Sequence, residues 1–196
     1  MSPNLIQGNQ LLFSVFAKVD RERGVWKAPA NIPLNEVAAL TKTVSRMEQR
    51  SLTIDPIAGK SINAIRKFPG KGVVVWGART LAGNDNAWRY IPVRRFFNMI
   101  GESLRQSLRW AVFEPNDANL WAKVEAIIES YLTRKWREGA LSGAQPRQAF
   151  FVKVGLGTSM TQQDIVKGRL IVDIGMALVR PAEFIILRVN LKMRQP

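Results

Sequence analysis

The stretch from residue 88 to residue 117, WRYIPVRRFFNMIGESLRQSLRWAVFEPND, constrains the chain more than any other. Pro92 stands where a helix tolerates proline, in the first turn, because that N–H would have no intrahelical acceptor anyway. No further proline occurs until Pro115, and Glu114-Pro115-Asn116-Asp117 both stops this helix and starts the next. The spacing predicts a helix of about five turns. At about 100° per residue, Val93, Phe97, Ile100, Leu104, Leu108 and Ala111 fall on one side. Arg94, Arg105 and Arg109 gather on another, within about 60°, and Arg95 borders them. The helix therefore buries an apolar stripe and shows a basic one, which meets either solvent or an acidic partner.

A second long helix is predicted over residues 117–138. Asp117 is its N-cap and Gly139 its C-terminal stop. Leu120, Trp121, Val124, Ile127, Ile128, Tyr131 and Leu132 form one wide apolar face. Arg134, Lys135 and Arg137 cluster at its end, where the helix dipole favours cations. Upstream, residues 11–16 (Leu-Leu-Phe-Ser-Val-Phe) read as a strand or an arm. Residues 33–47 show weak helical spacing through Leu34, Val37, Leu40 and Val44, and residues 61–66 read as one helical turn. Val73-Val74-Val75-Trp76, between Gly72 and Gly77, reads as a short buried strand.

Downstream, strand-like runs cover residues 149–154, 169–179 and 183–192, with a short helix over 161–167. The last run alternates, with Ile185, Leu187, Val189 and Leu191 on one face and Ile186, Arg188, Asn190 and Lys192 on the other. Arg180-Pro181-Ala182 separates it from the run before, which predicts an antiparallel pair. A regular strand at this place leaves an edge that either completes its own sheet or pairs with another molecule. The expected architecture is α/β (mixed α+β): a single domain with an antiparallel-containing sheet packed by two long helices, and extended terminal arms.

Composition narrows the chemistry. The formal net charge is +14 over 196 residues, a field that favours an anionic partner: nucleic acid, headgroups or an acidic protein. The chain has neither cysteine nor histidine. Disulfides, zinc sites built on those residues, and Ser-His-Asp or Cys-His catalysis are excluded. Gly155-Leu156-Gly157 follows a strand, but Met160 stands where a dinucleotide loop needs its third glycine. Gly70-Lys71-Gly72 lacks P-loop spacing. Helix termination and capping account for Glu114 and Asp117 as well as paired catalytic carboxylates would. Trp76, Trp88 and Trp110 lie near arginines and could stack bases, but they suit a core. The reading is of a chain that is not an enzyme, with no catalytic residue, cofactor or metal. No run of about 18 apolar residues exists to span a membrane. The first seventeen residues lack charge, yet Gly8, Asn9 and Gln10 interrupt them and no basic region precedes them, so no signal peptide is read and cytoplasmic synthesis is expected.

Several segments, taken in order, resemble contractile tail sheath proteins. They are Val15-Phe16-Ala17-Lys18-Val19-Asp20 leading into Arg23-Gly24-Val25-Trp26-Lys27-Ala28-Pro29-Ala30-Asn31; Ile62-Asn63 with Ile65-Arg66; and Gly72-Val73 to Trp76-Gly77-Ala78-Arg79-Thr80-Leu81. The central stretch follows with Trp88-Arg89-Tyr90, Val93-Arg94-Arg95, Trp110-Ala111-Val112-Phe113-Glu114-Pro115-Asn116 and Leu120-Trp121. Then come Gly139-Ala140-Leu141 with Gly143, Ala149-Phe150-Phe151-Val152, Met160-Thr161 with Asp164, Gly168-Arg169-Leu170 and Pro181-Ala182-Glu183-Phe184. The ordered set is specific where no single segment is.

The resemblance implies a subunit of the sleeve that surrounds the tube of myophage tails, R-type pyocins and extracellular injection particles. Such a sleeve polymerises helically around the tube, then contracts and drives it through an envelope. Its implied partners are further copies of the chain, the inner tail tube protein, and baseplate and tail terminator proteins, with no membrane or nucleic acid. The implied location is the assembled tail or injection particle. Within that frame residues 1–20 are an N-terminal arm or truncated remnant, residues 21–182 the sheath C-terminal core domain, and residues 183–196 a C-terminal arm. Sheath proteins usually carry a long further N-terminal region, so the expectation is of a truncated form or C-terminal fragment.

Two site expectations follow. Arg94, Arg95, Arg105 and Arg109 form a basic face toward the tube, with the cluster at Arg134 to Arg137 as the other location for that contact. Glu183, Phe184, Ile185, Ile186, Leu187, Arg188, Val189 and Asn190 form a strand exchanged between subunits. The alternative reading from another class is a basic nucleic-acid-binding module, marked by a steep salt dependence of DNA affinity.

Overall fold

The computed structural model describes residues 8–34, 37 and 39–183. It combines helices with two antiparallel sheets, as the residue patterns predict, and each sheet has its own helical cover. In the first half, helix α1 (Gly8–Arg23) packs on a three-stranded sheet of β1 (Ile32–Pro33), β2 (Ala64–Phe68) and β3 (Gly72–Trp76). The strand order is β1-β3-β2, with Ile32 opposite Val75 and Ala64 opposite Trp76. Val15 and Val19, one helical turn apart, bury against Leu34, Val73 and Val75. The β2–β3 hairpin turns through Gly70 and Gly72, both at φ +73, a left-handed conformation that glycine adopts without a Cβ clash. Helix α2 (Arg46–Thr53) leads into this sheet from a capping box in which Ser45 and Glu48 satisfy each other's backbone N–H.

Three local expectations are corrected here. Residues 11–16 lie in helix α1, not in a strand: the continuous apolar run is ambiguous, and the four-residue step from Val15 to Val19 decides it. Within residues 33–47 no helix forms before Arg46 among the described residues. The expected turn at 61–66 does not form: residues 61–63 are irregular and Ala64 opens β2, because pairing along β3 supplies a ladder that one isolated helical turn lacks.

The second half is built on the two long helices. Helix α3 (Ile91–Ser107) has Pro92 in its first turn and is followed by a 3-10 turn at Arg109–Ala111. Its buried residues are Pro92, Val93, Phe96, Ile100 and Leu104. Phe96, rather than the expected Phe97, faces the core; Phe97 is 41% exposed and stands edge-on to Trp88. Val93, Ile100 and Leu104 lie on the buried stripe as expected, and only the phenylalanine differs, since neighbouring positions are about 100° apart and packing selects between them. Helix α4 (Ala118–Arg137) begins at Asp117, whose carboxylate accepts the Leu120 N–H at 2.9 Å. It ends at Gly139, with φ +81. Leu120, Val124, Ile128 and Leu132 line its buried face.

Beneath these helices lies a two-stranded sheet. After a short helix α5 (Pro146–Ala149), β4 (Phe150–Val154) pairs antiparallel with β5 (Val172–Met176), Phe150 opposite Met176 and Val154 opposite Val172. The partner of β5 is thus β4 among the described residues. The predicted run at 183–192 lies outside them except for Glu183. Between the strands, helix α6 (Gln162–Val166) starts from a Thr161–Asp164 capping box, and Arg169 pairs with Asp164 at 2.6 Å. The hydrogen bonds from the Thr161 hydroxyl and backbone, ahead of the Arg169 charge, hold the Asp164 carboxyl below its usual range.

The core between α3, α4 and β4 carries the second half. Ile128 is fully buried with Phe96, Ile100, Leu104 and Val152 in the same cluster. Ile128→Ala is expected to destabilise the fold by about 3 kcal/mol, transfer and cavity terms together. Urea unfolding at constant slope tests this; a loss below about 1 kcal/mol would mean the cluster collapses around the gap.

Candidate functional site

Two features stand out: the arginine side of α3, and the place where the chain reaches Glu183. On α3, positions 94 and 105 are eleven residues apart, three turns, so their side chains leave the same side of the helix about 16 Å apart. Arg94 is exposed and lies over the Trp88 ring at 4.7 Å. Arg105 is exposed and pairs with Glu102 at 2.6 Å; Arg109, in the following 3-10 turn, is exposed. Bonds from Gln106 first, then from Arg105, hold the Glu102 carboxyl below its usual range. Arg95 is placed differently. Its guanidinium donates to both Asp20 carboxylate oxygens, one at 2.8 Å, and sits 5.0 Å from the Phe16 ring centroid. It ties α1 to α3, and leaves Arg94, Arg105 and Arg109 as the exposed members of the predicted face.

The cluster at the end of α4 is partly engaged too. Lys135 pairs with Glu138 at 2.6 Å and lies over Trp26, while Arg134 stacks on Tyr131. Of the three tryptophans near arginines, Trp76 packs on Phe68 and Trp88 is covered by Phe97 and Arg94. Trp110 remains 40% exposed. Among the described residues no group of three or more His, Cys, Asp or Glu could hold a metal, and no helix is long and apolar enough to cross a membrane.

Sequence reasoning missed the role of Arg79. Its side chain is only 4% exposed, which is rare for arginine without a partner. The partner is Glu183, over a hundred residues away: Nε donates to Oε1 at 2.8 Å and Nη2 to Oε2 at 2.6 Å. This is the planar two-point match that guanidinium makes with carboxylate. The Tyr90 hydroxyl donates to the same carboxylate at 3.2 Å, and Arg79 Nη1 reaches the Thr53 carbonyl at 3.3 Å. The hydrogen bonds to Glu183 outweigh burial and raise the Arg79 pKa above its already high ordinary value. Asn63 clamps the Arg79 backbone from both sides, accepting its N–H and donating to its carbonyl. Glu183, the first residue of the predicted exchanged strand, is therefore fixed to its own chain, and Phe184 to Asn190 lie outside the described residues. A local signal for this clamp does not exist, because both its burial and its partner are set by tertiary structure.

Residues 83–192, more than half of the chain, match the phage tail sheath C-terminal domain. The chain belongs to that family. Curated relatives of this sheath domain include the tail sheath proteins of Vibrio phage KVP40, 26% identical over 117 residues, and of Enterobacteria phage T4, 28% identical over 116 residues. These matches cover 60% and 59% of this chain and 17% of each relative. Solved structures are more similar. A chain of the anti-feeding prophage baseplate matches with TM-score 0.84 and 46% identity, over 93% of this chain and 49% of that chain. A chain of the sheath complex of an extracellular contractile injection system in its contracted state gives TM-score 0.86 and 43% identity, over 91% and 49%. The contracted helical sheath of the anti-feeding prophage gives 0.82 and 47%, over 90% and 48%. The chain thus spans about half the length of these solved relatives and about a sixth of the curated ones.

Proposed function

We propose that this chain is a structural subunit of a contractile tail sheath. Copies polymerise helically around an inner tube, and contraction of the sleeve drives the tube through a target envelope. The observation that carries this reading is the similarity of nine-tenths of the chain, at 43% to 47% identity, to chains of contractile particles. The chain acts by assembly and performs no catalysis. Its partners are further copies of itself, the tube protein, and baseplate and terminator proteins at the sleeve ends, in an assembled tail or extracellular particle.

Within this reading the body runs to residue 182 and includes helix α1, whose Val15 and Val19 lie in the core and whose Asp20 holds Arg95, and the run from Phe184 to Asn190 is a strand that neighbours exchange. Its alternating faces and the fixed root at Glu183 support that role. Arg94, Arg105 and Arg109 meet an acidic tube wall, with Arg95 holding the helix that carries them. Exposed ion pairs are individually worth roughly 0–1 kcal/mol, so several weak contacts seat the sleeve yet let it slide. Reversing all three charges to glutamate is expected to weaken tube co-sedimentation about tenfold at low salt. The melting temperature stays within a few degrees, because these side chains are exposed. If tube binding and its salt sensitivity are unchanged, the tube lies elsewhere.

The overall reading is tested by electron microscopy of what co-purifies with the tagged chain from its native cell. Striated sleeves, hollow or on a rod, are the expected result. Uniform small particles without tube protein, together with steeply salt-dependent DNA affinity, would replace the sheath by the nucleic-acid reading.

A further inference from the structure

We propose that Phe113 is the plug of a self-assembly contact and seats between α3 and α4 of a second copy of this chain; the inference rests on the sheath reading. Phe113 sits in the turn between the 3-10 segment and α4, with its side chain entirely in solvent at 103% relative exposure. Its backbone has φ +71, the left-handed region that a bulky L-residue seldom adopts. Two unfavourable features thus coincide at one residue, and strained, exposed positions of this kind gather at binding sites. Trp110 and Val112 beside it are 40% and 61% exposed, which extends the apolar surface.

The socket is an open groove of about 390 Å³ lined by Ser107, Ala126, Ile127, Ser130, Tyr131 and Arg134. Ile127 and Tyr131 offer apolar surface, and Arg134 is its one charged lining residue. Glu114, exposed, follows Phe113 directly. In a chain of net charge +14, an aromatic plug carrying a carboxylate is matched to an apolar groove edged by a guanidinium. Plug and groove are different surfaces of one chain, so each copy offers one of each. Such a heterologous contact propagates without closing, as a helical sleeve requires.

The chain has no cysteine, so an engineered pair reports without background. Under mild oxidation, the full chain carrying Phe113→Cys and Ile127→Cys is expected to give a ladder of disulfide-linked dimers, trimers and longer species on a non-reducing gel. Either single variant gives dimers at most. Phe113→Gly removes the ring and relieves the backbone; the monomer is expected to melt no lower than wild type while sedimenting assembly falls about tenfold or more. Wild-type sleeves without a ladder from the double variant, or a band bridged only within one chain, overturn this contact and leave the sheath reading standing. Failure of the wild-type chain to assemble at all overturns both.

Discussion

Replacing Arg79 by methionine is expected to cost the fold about 3 kcal/mol, although the change removes no apolar contact. Methionine fills a similar volume, but it supplies none of the donors that now satisfy Glu183 and the Thr53 carbonyl. Breaking a buried ion pair from one side costs roughly 3–5 kcal/mol. The lower end applies because the Glu183 side chain is 23% exposed and regains some water. Lysine at this position keeps the charge but cannot make the two-point match, so Arg79→Lys is expected to lose a smaller amount, about 1–2 kcal/mol. The raised Arg79 pKa means that its contribution is fully present below its unfolded value and disappears only as pH rises beyond that already extreme range. Mutation, not alkaline titration, is therefore the usable probe. Denaturant unfolding decides it: equal midpoints for Arg79→Met and wild type would reduce the clamp to an incidental pair.

Deleting residues 185–196 is expected to abolish assembly while the body stays folded. Among the described residues, both core clusters lie at or before Leu178, and the β4–β5 ladder ends at Met176. The clamp at Glu183 survives the deletion. The melting temperature should thus shift by only a few degrees, because the deletion leaves both of these clusters and the β4–β5 ladder in place. Assembly depends, in the proposed reading, on a strand donated to a neighbour, and losing an entire ladder of main-chain hydrogen bonds leaves no partial function. Circular dichroism combined with sedimentation separates the two effects. Sleeves of normal length from the shortened chain would end the strand-exchange proposal; an unfolded product would mean that the segment belongs to the body's own core.

The parts of this molecule that were legible in sequence are those where short-range rules act alone. Pro92, Asp117 and Gly139 mark helix ends through local rules, and the structure places those ends within a residue or two. Val73 to Trp76 announced a buried strand by composition. The failures have a common cause. Residues 11–16 and 61–66 are short segments compatible with two periods, and only the opposing sheet or helix selects one. Arg94 and Arg95 are equivalent by helical angle to within a single step, yet one is exposed and the other is held by Asp20, 75 positions away. The ordered family segments identified the chain, but the Arg79–Glu183 clamp and the strained Phe113 are properties of packing that no spacing encodes.

The clamp also defines a load path. A force applied to the segment beyond Glu183 would otherwise reach the body through β5 and peel it from β4 one hydrogen bond at a time. With Glu183 gripped by Arg79, tension passes first into the loop that leaves β3 and from there into the three-stranded sheet. The two donor–acceptor bonds of the pair resist together rather than in succession. A pull on the segment beyond Glu183 is thereby delivered to the middle of the chain, far in sequence from where it is applied.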